Sequence, residues 1–232
     1  MSTVIALITG LGDAALLLPA AALVLLYLLQ TRSWRAATGW VAALTLCAGL
    51  TVVAKMMFHA CGERLPALDI RSPSGHTSLS TTFYGCGALI LCANEGWDRR
   101  LAPLLASLGL ILAITASRVA LHAHTIEEAG AGLAIGLVCV AFFAASYLPR
   151  AIDLPYWPIP LAAILAFALL THGRHLSAEG LLDRMADRLH LAHYFCPLRE
   201  NAGVSDRHTL PGATLTPLDE GLAPRSPPQS VV

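Results

Sequence analysis

Residues 129–149 read AGAGLAIGLVCVAFFAASYLP, a run of 21 positions without one charged side chain. A helix that crosses the hydrocarbon core of a bilayer needs about 20 predominantly apolar residues, within a range of about 17–25. Five further uncharged runs fall in that band: 14–31 (18 residues), 36–54 (19), 77–94 (18), 101–117 (17) and 154–171 (18). Lipid offers no partner to a backbone N–H or C=O, so each run must satisfy its own amides, and a helix does so. The pattern predicts an all-α, polytopic membrane protein, a bundle of six transmembrane helices. Strands of a lipid-facing barrel would instead show alternating segments of about 10 residues.

Composition points the same way. Of 232 residues, 56% are hydrophobic and only 13% charged, with 15 basic and 15 acidic side chains cancelling. An ordinary soluble domain carries about 25% charged residues. The balance excludes a disordered chain, a basic nucleic-acid binder and a typical cytosolic enzyme. No nucleic-acid partner is expected, and the bilayer is.

The N-terminus lacks the positive leader region of a signal peptide and carries Asp13 within its apolar stretch. It reads as a retained first span, with residues 1–13 entering near the interface. Asp13 reads either as an intramembrane functional carboxylate or, by preference, as a residue that sits at headgroup level or caps the helix that begins at Ala14. Cys47, Cys86, Cys92 and Cys139 fall inside predicted spans without metal or disulfide spacing, and read as small buried hydrophobes. Cys61 and Cys196 fall on one side of the membrane.

Domain limits follow from composition. Residues 1–171 form the membrane domain. Residues 172–195 form a juxtamembrane segment in which Leu181, Leu182, Met185 and Leu189 share a helical face. Residues 196–232 hold six of the fourteen prolines and read as a mostly disordered tail. Six spans put both termini on one side. The arginine-bearing loops at Arg32/Arg35, Arg99/Arg100 and Arg150 suit the cytoplasm, which places 55–76 and 118–128 on the outer face of a multi-pass cell-membrane protein.

Those two outer segments carry the chemistry. Ser72-Pro73-Ser74-Gly75-His76 opens the third span, and a helix start gathers amides that favour an anion. His124 and Glu128 are four apart, so a helix stacks them on one face, where a carboxylate can fix one imidazole nitrogen and leave the other basic. Arg118 and Lys55 end two other spans on the same side. Two or three cations around an anion-binding helix start describe a phosphate site. His122 with His124 and Glu128, aided by His59 or His76, is the alternative reading as a membrane metalloenzyme.

These residues resemble the type 2 phosphatidic-acid phosphatase superfamily, the lipid phosphate phosphatases that share a fold with vanadium haloperoxidases. That family's second motif, PSGH, stands at Pro73-Ser74-Gly75-His76. Its third, SR, five residues, H, three residues, D, is matched by Ser117-Arg118, His124 and Glu128, with glutamate for aspartate. Its first, K, six residues, RP, departs: Lys55 is present, and the following cation is Arg64, before Leu65-Pro66, or Arg71. The resemblance covers about residues 11–171 and implies a metal-independent phosphatase without a cofactor. It implies that Lys55, Arg64, Ser74, Gly75 and Arg118 bind phosphate, that His124 attacks phosphorus, that His76 is the acid and that Glu128 orients His124. The implied substrate is a lipid phosphate or diphosphate, undecaprenyl diphosphate being the first expectation in a bacterium. The alternative within the family is a non-catalytic lipid-binding or transport bundle on the same scaffold.

Overall fold

A computed structural model describes residues 2–61, 72–92 and 96–147. Among them the fold is wholly helical: α1 (Ser2–Gly10), α2 (Ala14–Gln30), α3 (Trp34–Cys61), α4 (Gly75–Cys92), α5 (Trp97–Ala120) and α6 (Ile126–Tyr147). Helices α2 to α6 fall on the first five uncharged runs. The sixth run, the juxtamembrane segment, the tail, Arg64, Arg71, Cys196 and the side chain of Cys61 lie outside the described residues.

Among the described residues three helices are long and apolar enough to cross a bilayer: Trp34–Met57, Arg99–Ala120 and Ile126–Tyr147. The pair Val4–Gly10 and Ala14–Gln30, bent by 44°, makes a fourth if it counts as one span. Leu105, Leu108 and Leu112 of α5 and Leu137 and Val138 of α6 are exposed, an apolar surface that suits lipid. The helix that falls short of the predicted spans is α4, and its composition explains why. Hydroxyls replace aliphatics through its first half, GHTSLSTTF, and those side chains are buried: Thr77, Ser78, Ser80, Thr81 and Thr82. Most donate back to their own helix, Ser78 to the Gly75 carbonyl (3.1 Å), Ser80 and Thr81 to Thr77 (3.2 and 2.7 Å), and Thr82 to Ser78 (2.9 Å). A hydroxyl satisfied in this way can be buried without water. Helices α2, α3, α5 and α6 all pack on α4, so it is the inner helix of the bundle.

The bend between α1 and α2 has a local cause. The amides of Gly12 and Asp13 bond three residues back, to Thr9 and Gly10 (2.9 and 3.2 Å), a tightened last turn that ends α1. Asp13 is extended and its Oδ1 accepts from the Ala15 amide (2.9 Å), so it caps α2 and is itself 4% exposed. Of its sequence readings, the helix cap is the one observed.

The apolar core lies toward the α2–α3 turn. Trp40 donates from Nε1 to the Ala21 carbonyl (3.1 Å) and meets Phe83 edge-on, with Phe143 and Tyr147 of α6 completing the cluster. Cys47, Cys86, Cys92 and Cys139 are buried thiols, as small hydrophobes would be.

Toward the other end of the bundle, α4 and α6 approach closely enough to exclude a methyl group. A Cβ on Gly132 would lie 2.5 Å from the Ser74 carbonyl oxygen, and one on Gly136 would enter the Thr81 side chain and come within 2.9 Å of the Ser78 oxygen. Gly85 gives Val140 the reciprocal space on α4. This is the small-residue packing by which membrane helices gain contact. Gly136→Ala should therefore destabilise the bundle by about 1–3 kcal/mol, the cost of overpacking against backbone. Gly130, on the same helix with nothing near, is the control: Gly130→Ala should be neutral or gain up to about 1 kcal/mol from helix propensity. Unfolding in detergent checks both.

Candidate active site

The site forms where the Gly132–Gly136 face of α6 runs out at its N-terminus. Glu128 lies four residues before Gly132, on the same stripe, and so meets the turn that begins α4. Its main-chain carbonyl accepts from the Ser74 amide (3.0 Å), and its Oε1 accepts from the Ser72 amide (3.0 Å). The Pro73-Ser74-Gly75-His76 turn is thus held by main chain and side chain of one residue on another helix.

The same carboxylate also organises its own helix start. Thr125 Oγ1 accepts from the Glu128 amide and Glu128 Oε2 accepts from the Thr125 amide, both at 3.3 Å. That reciprocal pair is a capping box. Oε2 further binds Nδ1 of His124 at 2.8 Å. An ionised carboxylate can only accept, so Nδ1 is the donor in this pair, and in a neutral imidazole that leaves the lone pair on Nε2. The two side chains are only 6% and 7% exposed, so water screens this contact weakly. Nε2 is buried as well.

Arg118 and His124 are joined through the backbone. The Arg118 carbonyl accepts from the amides of Ala123 (3.1 Å) and His124 (3.3 Å), while the His122 amide bonds Val119 (2.9 Å). These bonds are the helix-ending pattern in which one residue turns left-handed, and that residue is His122, at φ 53°. His122 is therefore an exposed turn residue, and His124 alone of the pair enters the buried network. Among the described residues no group of three His, Cys, Asp or Glu side chains is arranged to hold a metal.

Lys55 arrives from α3. Its Cε lies 3.9 Å from where a Cβ on Gly75 would stand, with Thr51 Cγ2 at 4.0 Å. Thr51 Oγ1 and Ser78 Oγ are 2.9 Å apart, and because Ser78 donates to Gly75, Thr51 is the donor in that pair. On α4 itself, Ser74 Oγ accepts from the Thr77 amide (3.4 Å) and hydroxyl (3.1 Å), capping the helix, while the amides of Gly75 and His76 head the same turn. The lysine stem, the α4 start, Glu128 and His124 thus belong to one neighbourhood at one end of the bundle, and Arg118 is one backbone bond from His124. Arg64 is not among the described residues. Thr125 and the two α6 glycines are the members that motif reading passed over, although a Thr-x-x-Glu box and a Gly-x-x-x-Gly spacing were both open to it.

Comparison with known proteins adds a family. The model of the PAP2 superfamily matches residues 56–152, which include Ser72–His76 and the Ser117–Glu128 segment. A Klebsiella pneumoniae protein described as an uncharacterized 22.5 kDa protein in cps region is 27% identical over 185 residues, covering 78% of this chain and 88% of the relative. No solved structure gives a significant match.

The bonding of Glu128 makes a sharp prediction. Both carboxylate oxygens accept from donors, so a carboxamide must turn its NH₂ against an amide N–H in either orientation. Glu128→Gln should cost about 1–3 kcal/mol of stability, the penalty for a buried group left unsatisfied. Thr125→Ala should cost about 0.5–2 kcal/mol through the cap alone. Thermal unfolding of the two variants in detergent tests the ordering.

Proposed function

We propose that this chain, whose residues 56–152 match the model of the PAP2 superfamily, is a membrane-embedded, metal-independent phosphatase that hydrolyses a lipid phosphate or diphosphate through a phosphohistidine. The observation that carries the reading is the buried His124–Glu128 pair bonded directly to the turn that starts α4.

With Nδ1 committed to Glu128, His124 Nε2 is the nucleophile. It attacks phosphorus and the P–O bond to the leaving group breaks. His76 gives a proton to the departing oxygen, so the lipid leaves as an alcohol or a lower phosphate. Water then attacks the phosphohistidine, its proton passing to His76, and the P–N bond breaks to release inorganic phosphate and restore both histidines. Charge on the equatorial oxygens is met by Lys55, Arg118 and the Gly75 and His76 amides, with Arg64 or Arg71 as the remaining cation. Donors fixed in a water-poor site stabilise such charge without reorganising.

Placement at the ends of apolar helices supports a lipid as the substrate class. A lipid can keep its chains in the bilayer while its headgroup reaches the cations. The proposed orientation puts this end on the outer face, where an isoprenyl diphosphate such as undecaprenyl diphosphate heads the candidate substrates.

A panel of lipid phosphates assayed in detergent should show phosphate release by the wild type, little affected by EDTA. His124→Ala and His76→Ala should each reduce turnover at least about 10³-fold. Full activity in both variants would sink the proposal, and binding of lipid phosphate without any turnover would favour the non-catalytic alternative.

A further inference from the structure

The elbow between α1 and α2 is wedged between α4 and α5 beside the site, and it comes from a part of the chain that the family match does not include. Three contacts fix it. Thr9 Oγ1 lies 2.6 Å from Ser117 Oγ, in a buried pair. Ser117 Oγ donates to the Ile114 carbonyl (2.6 Å), so its own proton is used and Thr9 is the donor to Ser117. Next along the elbow, Gly12 leaves space for Ile114 Cγ2, which a Cβ there would meet at 2.7 Å, and the His76 carbonyl oxygen lies 3.7 Å from that same point. Last, Tyr84 of α4 donates to the Leu11 carbonyl (2.8 Å).

The elbow therefore contacts α5 at Ser117, the neighbour of Arg118, and its Gly12 passes near the His76 carbonyl of α4, beside the two motif turns. Ser117 also accepts from the Leu121 amide through its carbonyl (3.0 Å), one step from the Arg118 carbonyl that holds Ala123 and His124. A shift of the last turn of α5 would move Arg118 and the main chain leading to His124 together.

We infer that Thr9 is a positioning residue for this site: by donating to Ser117 it fixes the last turn of α5, and with it Arg118, against the start of α4. The inference rests on the phosphatase reading above. Thr9 does not touch substrate, and it acts through Ser117.

The test compares the full-length wild type with Thr9→Val, Thr9→Ser, Ser117→Ala and the Thr9→Val/Ser117→Ala double variant, in detergent. The probes are a lipid phosphate that the wild type turns over and inorganic vanadate as a mimic of the phosphoryl group in flight. Thr9→Val, of equal shape but without the donor, should lower kcat/KM about tenfold and weaken vanadate binding to a similar degree, Thr9→Ser should stay within about twofold of wild type, and the double variant should be no worse than Thr9→Val, as one lost hydrogen bond implies. Wild-type kinetics and vanadate affinity in Thr9→Val would overturn the inference. So would a Thr9→Ser variant as impaired as Thr9→Val, or a loss of activity that follows the melting temperature while vanadate affinity stays put. A wild type that turns over no lipid phosphate brings down the functional reading instead. Calorimetric vanadate binding then decides this inference separately, weaker binding by Thr9→Val supporting it and equal or absent binding overturning it.

Discussion

One face of α6 governs the rest. His124, Glu128, Gly132 and Gly136 recur every four residues, and the helix brings them into one line from Glu128 onward. The glycines decide how near that line comes to α4, because a methyl group on either would strike α4 backbone or Thr81. Where the line passes the end of the close contact, it presents a carboxylate at bonding distance from the Ser72 amide. Had α6 stood off by the width of a side chain, Glu128 could not reach the α4 turn and cap its own helix together. The spacing of two helices is thus also the spacing between the two motifs.

That approach has a cost which α4 offsets in its composition. An inner helix close to its neighbours needs small side chains, and small apolar ones would fill little volume. Serine and threonine fill it, and in a bundle their hydroxyls must find acceptors. Ser78, Ser80, Thr81 and Thr82 find them one turn back on the same helix. The result is a helix that is buried yet too polar to register as a span by hydropathy. Its polarity is internal to the bundle and leads directly to the turn at Ser74.

What could be read in the sequence follows from the range of each interaction. Charge-free runs marked α2 to α6, because a bilayer forbids exposed charge over the length of a span. They misplaced the helix ends: α3 runs on to Cys61 and α5 starts at Trp97, so that Lys55, Arg99, Arg100 and Arg118 lie inside helices. Charge marks where lipid stops, whereas hydrogen bonding marks where the helix stops. The His124–Glu128 contact was legible since both partners sit within one helical turn. The tie from Glu128 to Ser72 and Ser74 was not, because it crosses 56 residues and depends on a packing distance. Thr9 left no signal of any kind. Its partner is 108 positions away, and a lone threonine near an N-terminus has no pattern to betray it.

The same contrast bears on where the functional unit begins. The family match starts at residue 56, one position after Lys55 and well after the elbow. Sequence comparison finds segments whose residues are constrained directly by chemistry, such as the two motif turns. A residue that only supports such a turn is constrained through shape and one donor, and many substitutions elsewhere can meet that need. Thr51, which donates to Ser78 beside the Lys55 stem, and Thr9, which donates to Ser117 beside Arg118, are both of this kind. Each residue precedes the matched segment and ties its helix, by one hydroxyl, to a helix inside that segment. The two motifs can be listed from residues 72–128, but the structure that holds them at fixed separation starts with α1.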